Sequence, residues 1–308
     1  SPQQLNVTSF GVMAVAFITL EAFAGMWINT FIVCVLCTVW IKKKTLNSSE
    51  KIMLLLGCSR FWHLCISWVY SFLSIMYHNY LHVHHRLKLL LSIQTFFDCS
   101  NFWVPACLCV FYCLKIASFR NRFFIYMKVK IDRMVPWLLL ATVLLCLVIS
   151  SILYEIIDKA QCNNRNFTGQ GYFSKVSGKI DDVLFRIYFI YGFGFVTSFM
   201  AVISSALLLH FSLWRHKCKM QTNSMKSLSM DVHIKAMKSI LSFFIIYSIH
   251  FAFLTLTLIP STTQENPIML LVYVFLYAFP GVHSLSLIFS NPRLEKTLLR
   301  TLSWVKCK

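Results

Sequence analysis

The stretch DCSNFWVPACLCVFYCLKIASF, from Asp98 to Phe119, decides the fold of this chain. It is apolar along most of its length, with an acid at one end and Lys115 near the other. A helix needs about 20 mainly apolar residues to cross the hydrocarbon core of a bilayer, and this stretch is of that length. It therefore predicts a transmembrane helix that connects two aqueous faces.

The composition extends this prediction to the whole chain of 308 residues. Hydrophobic residues make up 57% of the sequence and charged residues only 13%, and the mean hydropathy is +0.66. These values are too apolar for an ordinary soluble domain. Most of the 12 cysteines lie inside apolar runs, where a thiol behaves as a small hydrophobic group. The composition therefore indicates a membrane protein.

Seven apolar runs of spanning length follow one another, and the tail has a different pattern. The predicted helices cover about 10–41, 52–77, 89–114, 134–157, 183–211, 239–259 and 268–289. No signal-peptide pattern precedes the first run, so we expect it to be retained as a helix. In the tail, Leu294, Leu298 and Leu302 recur at helical spacing between basic residues, which predicts an amphipathic helix at about 292–305. The expected fold is an all-α membrane protein, a single seven-transmembrane-helix bundle over residues 1–308 with a short C-terminal amphipathic helix.

The distribution of the 29 lysines and arginines predicts the orientation. The formal net charge is +18, but the basic residues lie in short clusters between apolar runs, which argues against a nucleic-acid partner. One set of connections, with the C-terminal tail, carries 21 of them and the other set carries 7. Lysine and arginine favour cytoplasmic loops. The sequence therefore predicts a multi-pass plasma-membrane protein with an extracellular N-terminus and a cytoplasmic C-terminus.

Three Asn-x-Ser/Thr triplets bear on the same orientation, because glycosylation occurs only on the lumenal or extracellular side. Asn166 lies in the middle of a predicted outer loop, and Asn6 lies outside but close to the membrane. Asn47 falls in a predicted inner loop. We expect glycosylation at Asn166, leave Asn6 open, and expect none at Asn47.

Among the polar residues within the predicted helices, we single out Glu21, Asn29, Arg60, Asp98 and His250. A charged group at bilayer depth is costly and is tolerated mainly where it faces protein or water. For the first three, we expect a buried polar network that fixes the packing of the helices. For Asp98 and His250, which fall in the outer half, packing and ligand contact both remain open.

A membrane enzyme and a transporter are two other classes of protein that this composition allows. The predicted outer loop places His78, His82, His84 and His85 close together, which resembles one histidine box of a membrane di-iron enzyme. Such enzymes need several boxes on the cytoplasmic side, and the other histidines are scattered singly. A solvated loop and an adventitious zinc or copper site are the remaining interpretations of this histidine cluster.

Transporters usually show internal repeats and broken helices, and neither is seen in this sequence. We predict no catalytic site, metal or cofactor.

Short motifs along the chain carry a resemblance to a known family. They are Glu21-x3-Gly25-x3-Asn29, Ser59-Arg60, Phe111-Tyr112-x2-Lys115-Ile116-Ala117, Leu213-Trp214-Arg215-His216, His233-x2-Ala236-x-Lys238 and His283-Ser284-x2-Leu287-Ile288-x2-Asn291. In this order, the chain resembles the bitter taste receptors, the type 2 taste receptor family of G-protein-coupled receptors. The resemblance covers nearly the whole chain. A receptor of another seven-helix family, or a membrane transporter or channel, is the alternative.

The resemblance implies a small-molecule site in the outer half of the bundle. Counted back from Phe111, Trp103 falls where the family has its ligand-facing tryptophan. His250 and Tyr273 fall on the walls that the family uses for ligands, Cys107 lies one turn below Trp103, and Asp98 lies at the rim. The implied ligands are small, mostly apolar bitter agonists, which aromatic walls would accommodate.

The resemblance also implies a site for a gustducin-like heterotrimeric G protein at the inner end. Lys115, Arg215, His216 and Lys238 would face it. Contact of the same residues with the lipid bilayer remains open as the alternative, because Lys115 at a helix end can extend to lipid headgroups. Trp214, Arg215 and His216 can likewise form an interfacial anchor in the lipid bilayer.

Overall fold

The computed structural model describes residues 9–76, 85–117, 121–165, 173–222, 241–242, 244–256 and 267–306, nearly all of them helical. The helices are α1 (Ser9–Lys43), α2 (Ser48–Met76), α3 (His85–Ile116), α4 (Arg122–Arg165), α5 (Phe173–Thr222), α6 (Phe244–Leu256), α7 (Pro267–Ser290) and α8 (Pro292–Lys306).

The described helices have the length and composition of membrane spans. Six of them are long and apolar enough to cross a bilayer, and α6 is a shorter apolar helix. Large apolar side chains point away from the bundle: Leu20, Trp27 and Trp137 are each more than 70% exposed. Such surfaces are stable against lipid rather than water. The predicted all-α membrane fold is confirmed.

Two helices continue well past the apolar runs that predicted them. The run at 134–157 belongs to α4, which begins at Arg122, and the run at 183–211 belongs to α5, which ends at Thr222. Hydropathy marks only the part of a helix that crosses the bilayer. Backbone hydrogen bonding continues into water because the flanking residues are mainly ordinary helix formers.

The third helix lies at the centre of the bundle. It packs against α2, α4 and α5. About two thirds of the residues in its most apolar, membrane-spanning stretch are buried, which is the largest share among the described spans. Val104, Leu108 and Phe111 of α3 join Leu36 of α1 and Leu56 of α2 in the main apolar core. The stretch that predicted a membrane helix therefore belongs to the most buried of the described spans.

Glycines let α1 approach α7 closely. A Cβ atom built on Gly281 would lie 3.4 Å from the Cα atom of Gly25. A Cβ atom on Gly25 would lie 2.7 Å from Cδ1 of Leu64 in α2. Because neither glycine carries a side chain, α1 and α7 meet backbone to backbone, and the Leu64 side chain of α2 packs against Gly25. This contact brings the polar residues of the next turn within hydrogen-bonding distance.

Candidate functional site

A buried polar network joins α1, α2 and α7 one helical turn beyond the glycine contact, toward the C-terminal ends of α1 and α7. Arg60, which is fully buried, donates a 2.8 Å hydrogen bond from Nη1 to Ser284 Oγ. Ser284 in turn donates to Asn29 Oδ1 at 2.7 Å, and Asn29 Nδ2 donates to the carbonyl oxygen of Gly25 at 2.8 Å. A buried guanidinium is stable only with such partners. The network ties three helices together by directional bonds.

The same arginine fixes the protonation pattern of His283. Nη2 of Arg60 contacts Nδ1 of His283. Since an arginine can only donate, Nδ1 must accept, so the ring is neutral and carries its proton on Nε2. Sequence analysis included Ser284 and His283 in a motif but did not assign them to this network.

Glu21 was predicted to belong to the network, and the structure places it apart. Its Oε2 atom is buried without a hydrogen-bond partner among the described residues. Glu21 precedes Gly25 by one helical turn, and Asn29 follows Gly25 by one turn. The glycine contact therefore separates Glu21 from Arg60. Of the three predicted residues, the network brings together Asn29 and Arg60.

Asp98 of α3 faces His63 of α2. The distance from Asp98 Oδ1 to His63 Nδ1 is 2.9 Å, and the two side chains are about one fifth exposed. The contact is an ion pair when His63 is protonated. His63 follows Arg60 by three residues and so shares its face of α2. That periodicity is the signal by which the sequence could have indicated His63 as a partner.

His250 of α6 lies in an aromatic cluster. Its ring stacks on Phe279 of α7 with a centroid distance of 3.7 Å, and it lies 6.1 Å from Phe102 of α3 and 6.4 Å from Phe195 of α5. Tyr247, one turn away on α6, donates from its hydroxyl to the carbonyl oxygen of Phe102 at 3.1 Å. The cluster connects α6 with three other helices, and sequence analysis found only His250 among its members.

Trp103 and Cys107 lie on a different face of α3. They line a cavity of about 270 Å³ between α3, α4 and α5, together with Thr142 and Ala201. Cys107 Sγ is 3.4 Å from Thr142 Oγ1. The next residue along α3 from Phe102 is rotated by about 100°, so Trp103 faces α4 where Phe102 faces α5 and α6.

The five residues predicted to bind ligand are therefore distributed over the bundle. Asp98 contacts α2, His250 contacts Phe279, and Trp103 and Cys107 share the cavity beside α4. Tyr273 is 38% exposed on α7. Neither the cavity beside α4 nor the one between the inner ends of α1 and α2 contains all five.

At the inner end, Lys115 of α3 forms an ion pair with Asp132 of α4. Both side chains are about half exposed. Arg215 is exposed on α5. The side chain of His216 and the whole of Lys238 lie outside the described residues. Asp132 was not predicted as a partner because it lies on a helical extension that the apolar runs did not reveal.

Several further predictions fall outside the described part of the chain. Asn6 and Asn166 are among them, as are His78, His82 and His84 of the histidine-rich segment. Within the residues that the structure does describe, no group of three or more metal-ligating side chains occurs.

The apolar spans and the buried polar contacts between them define a multi-pass helical membrane protein. The family model of the Taste receptor protein family (TAS2R) matches residues 7–306, so the chain belongs to this family. The predicted family is therefore confirmed. It is a family of receptors coupled to G proteins, with small-molecule ligands, and not a family of enzymes.

Individual relatives align over almost their full length. The chain is 27% identical to human Taste receptor type 2 member 9 over 93% of this chain and 92% of that protein. It is 27% identical to mouse Taste receptor type 2 member 105, over 94% of this chain and 95% of that protein. It is 26% identical to human Taste receptor type 2 member 2, over 94% and 96% respectively.

Proposed function

We propose that this protein is a plasma-membrane bitter taste receptor that binds small, mostly apolar agonists in its outer half and activates a gustducin-like G protein. The observation that carries the proposal is the match to the taste receptor family over residues 7–306. The proposed orientation has the N-terminus outside and the C-terminus in the cytoplasm, as the distribution of basic residues predicts.

The agonist site proposed here lies on α3 between Asp98 and the His250 cluster. Asp98 with His63 would supply a polar end, and His250 stacked on Phe279 would supply an aromatic floor. Sites for small molecules are mostly apolar with a few polar groups that fix orientation. Trp103 and Cys107 would act from the adjoining cavity, and Tyr273 would stand at the side of α7.

The contacts of α6 suggest how binding there reaches the inner face. Helices α1, α2 and α7 are joined by the hydrogen bonds of Arg60 and by the glycine contact. By contrast, α6 meets its neighbours through stacked rings and through Tyr247. Apart from the bond of Tyr247, the contacts of α6 are ring stacks, which are less directional than the buried hydrogen bonds of Arg60. An agonist that contacts His250 would therefore shift α6 against a fixed α7 and favour an open inner crevice, as a population shift.

The inner ends of α3 and α5 would receive the G protein. Lys115 and Arg215 are exposed there, and His216 and Lys238 are proposed to lie with them. The ion pair between Lys115 and Asp132 would oppose this opening of the bundle. Basic groups at this face would speed encounter with an acidic partner surface.

The experiment is a calcium-response screen of bitter compounds in cells that express this chain with a promiscuous G protein. We expect at least one compound to give a dose-dependent response that is absent from cells without the chain. Surface labelling establishes that the receptor reaches the plasma membrane. No response to a broad panel from a receptor present at the surface would contradict the proposal.

A further inference from the structure

A cavity between the inner ends of α1 and α2 has no part in the proposed mechanism. It measures about 540 Å³, and its lining includes Trp40, Lys44, Lys51, Leu54, Leu55 and Cys58. This volume lies within the range of sites that bind small molecules. Because α1 ends and α2 begins here, the proposed orientation places the cavity at the cytoplasmic surface of the membrane.

The lining divides into a charged part and an apolar part. Lys44 and Lys51 are exposed and supply two ammonium groups. Leu54 and Leu55 are partly buried, and the indole ring of Trp40 is 54% exposed. Two positive charges beside apolar walls match an amphiphile that carries a negative headgroup.

The nearby acids form their salt bridges with other basic residues, although Asp132 also interacts electrostatically with Lys51. Glu50 is paired with Arg293 of α8, and Asp132 is paired with Lys115. Neither Lys44 nor Lys51 forms a salt bridge with any residue that the structure describes. Their positive charge therefore remains available to a ligand.

The backbone of Lys44 adds an independent observation. Its φ angle is 56°, and its N–H donates to the carbonyl oxygen of Trp40 at 2.7 Å. This is a left-handed cap at the end of α1, a position that glycine usually occupies because it has no Cβ. A lysine is disfavoured there, yet this position makes Lys44 part of the same cavity lining as Trp40. A non-glycine residue in this conformation is a reason to look for a function.

We propose that this cavity binds an anionic phospholipid of the cytoplasmic leaflet. The phosphate groups would lie between Lys44 and Lys51, and the start of an acyl chain would lie against Trp40, Leu54 and Leu55. Basic pockets between membrane helices on the cytoplasmic side are suited to such headgroups. The proposal rests on the orientation given under Proposed function.

The test measures lipid binding to the purified receptor in detergent, by native mass spectrometry, with a phosphatidylinositol phosphate as the probe. Phosphatidylcholine with the same acyl chains serves as the neutral comparison. Each lysine near a membrane surface contributes about 1 kcal/mol, so the K44Q/K51Q variant should bind the probe roughly thirtyfold more weakly. The matched control is K42Q/K43Q, which removes the same charge at the end of α1 from residues that do not line the cavity. Equal losses in both double variants, or none in K44Q/K51Q, would overturn the proposal.

Two further measurements separate the site from its alternatives. Lys44→Gly should keep or raise thermal stability in phosphatidylcholine, because glycine suits the left-handed conformation, and should still lose affinity for the probe. Unchanged affinity would contradict the proposal. A soluble inositol phosphate should bind far more weakly than the lipid, and equal binding would exclude a role for the apolar walls. Because these assays need neither agonist nor G protein, their failure would leave the proposed receptor function untouched.

Discussion

Arg60 of α2 donates a 2.8 Å hydrogen bond from Nη1 to Ser284 Oγ of α7. The same hydroxyl group of Ser284 donates a hydrogen bond to Asn29 Oδ1 of α1, so it links three helices. A buried guanidinium cannot be left without partners. This bond therefore makes α7 part of one frame with α1 and α2, the fixed frame against which α6 is proposed to move.

The frame predicts the effect of removing one of its members. Ser284→Ala deprives both Arg60 and Asn29 of a partner, at a cost of about 1 to 3 kcal/mol. We expect lower surface expression and lower thermal stability, and we expect Arg60→Ala to reduce surface expression as much as signalling. Ser204→Ala is the control, because its hydroxyl bonds only to the carbonyl oxygen of Met200 in its own helix. Normal surface expression of Arg60→Ala with no signalling would instead place Arg60 in the switch.

A hydrogen bond between α6 and α3 predicts a change in basal activity. Tyr247→Phe keeps the ring but loses the bonds of the hydroxyl to the carbonyl oxygen of Phe102 and to Ser198 of α5, which removes on the order of 1 kcal/mol from the resting arrangement. We expect signalling without agonist to rise by roughly fivefold per receptor at the surface. Tyr277→Phe serves as the control, because it removes the hydrogen bonds of that hydroxyl to the carbonyl oxygen of Ser67 and to Ser71 Oγ within the fixed frame. An equal rise in both variants would contradict a special role for α6.

Asp98, an acid in the outer half of α3, predicts selectivity among agonists. Asp98→Asn removes a negative charge but preserves the shape of the side chain, so a cationic agonist should lose potency roughly tenfold or more while a neutral agonist is little affected. Dose-response curves corrected for surface level measure the difference. The control is Asp158→Asn, which removes an acid that is paired with Lys88 between α4 and α3. Equal loss of both agonists in Asp98→Asn would rule out the ion-pair role.

The proposed orientation predicts which asparagine carries a glycan. Asn166→Gln should abolish a mobility shift on treatment with N-glycosidase, whereas Asn47→Gln should leave it intact. Asn47 lies directly before α2, and its backbone N–H donates to Glu50 Oε2 at 3.0 Å. If the shift is lost only in Asn47→Gln, the orientation is reversed.

The sequence predicted the fold better than it predicted the site. Apolar runs mark bilayer crossings directly, so the membrane helices followed from hydropathy alone. The cost of a buried charge likewise indicated that Arg60 needs partners, and the structure joins it to Asn29 through Ser284. Here the physical constraint acts on each residue separately and needs no knowledge of how the helices are rotated.

The arrangement of the outer residues depends on helix rotation and register, which a single sequence does not contain. Phe102 and Trp103 are neighbours in the chain, yet the first joins the His250 cluster and the second faces the cavity beside α4. The partner of Asp98 is His63 on another helix, so the local pattern around Asp98 does not reveal it, and only the spacing of His63 from Arg60 on α2 points to it. The pairing of Asp132 with Lys115 was not predicted, because α4 begins before its apolar run and Asp132 lies on that extension.

Nucleotide exchange on a purified gustducin heterotrimer, measured with the receptor in lipid vesicles and an agonist identified in cells, tests the proposed function most directly. We predict that the agonist accelerates exchange in a dose-dependent way, and that neutralising Lys115 and Arg215 together weakens this acceleration while agonist affinity in the absence of G protein is unchanged. Gustducin that responds to a control receptor, but not to this protein with agonist bound, would contradict the proposed coupling.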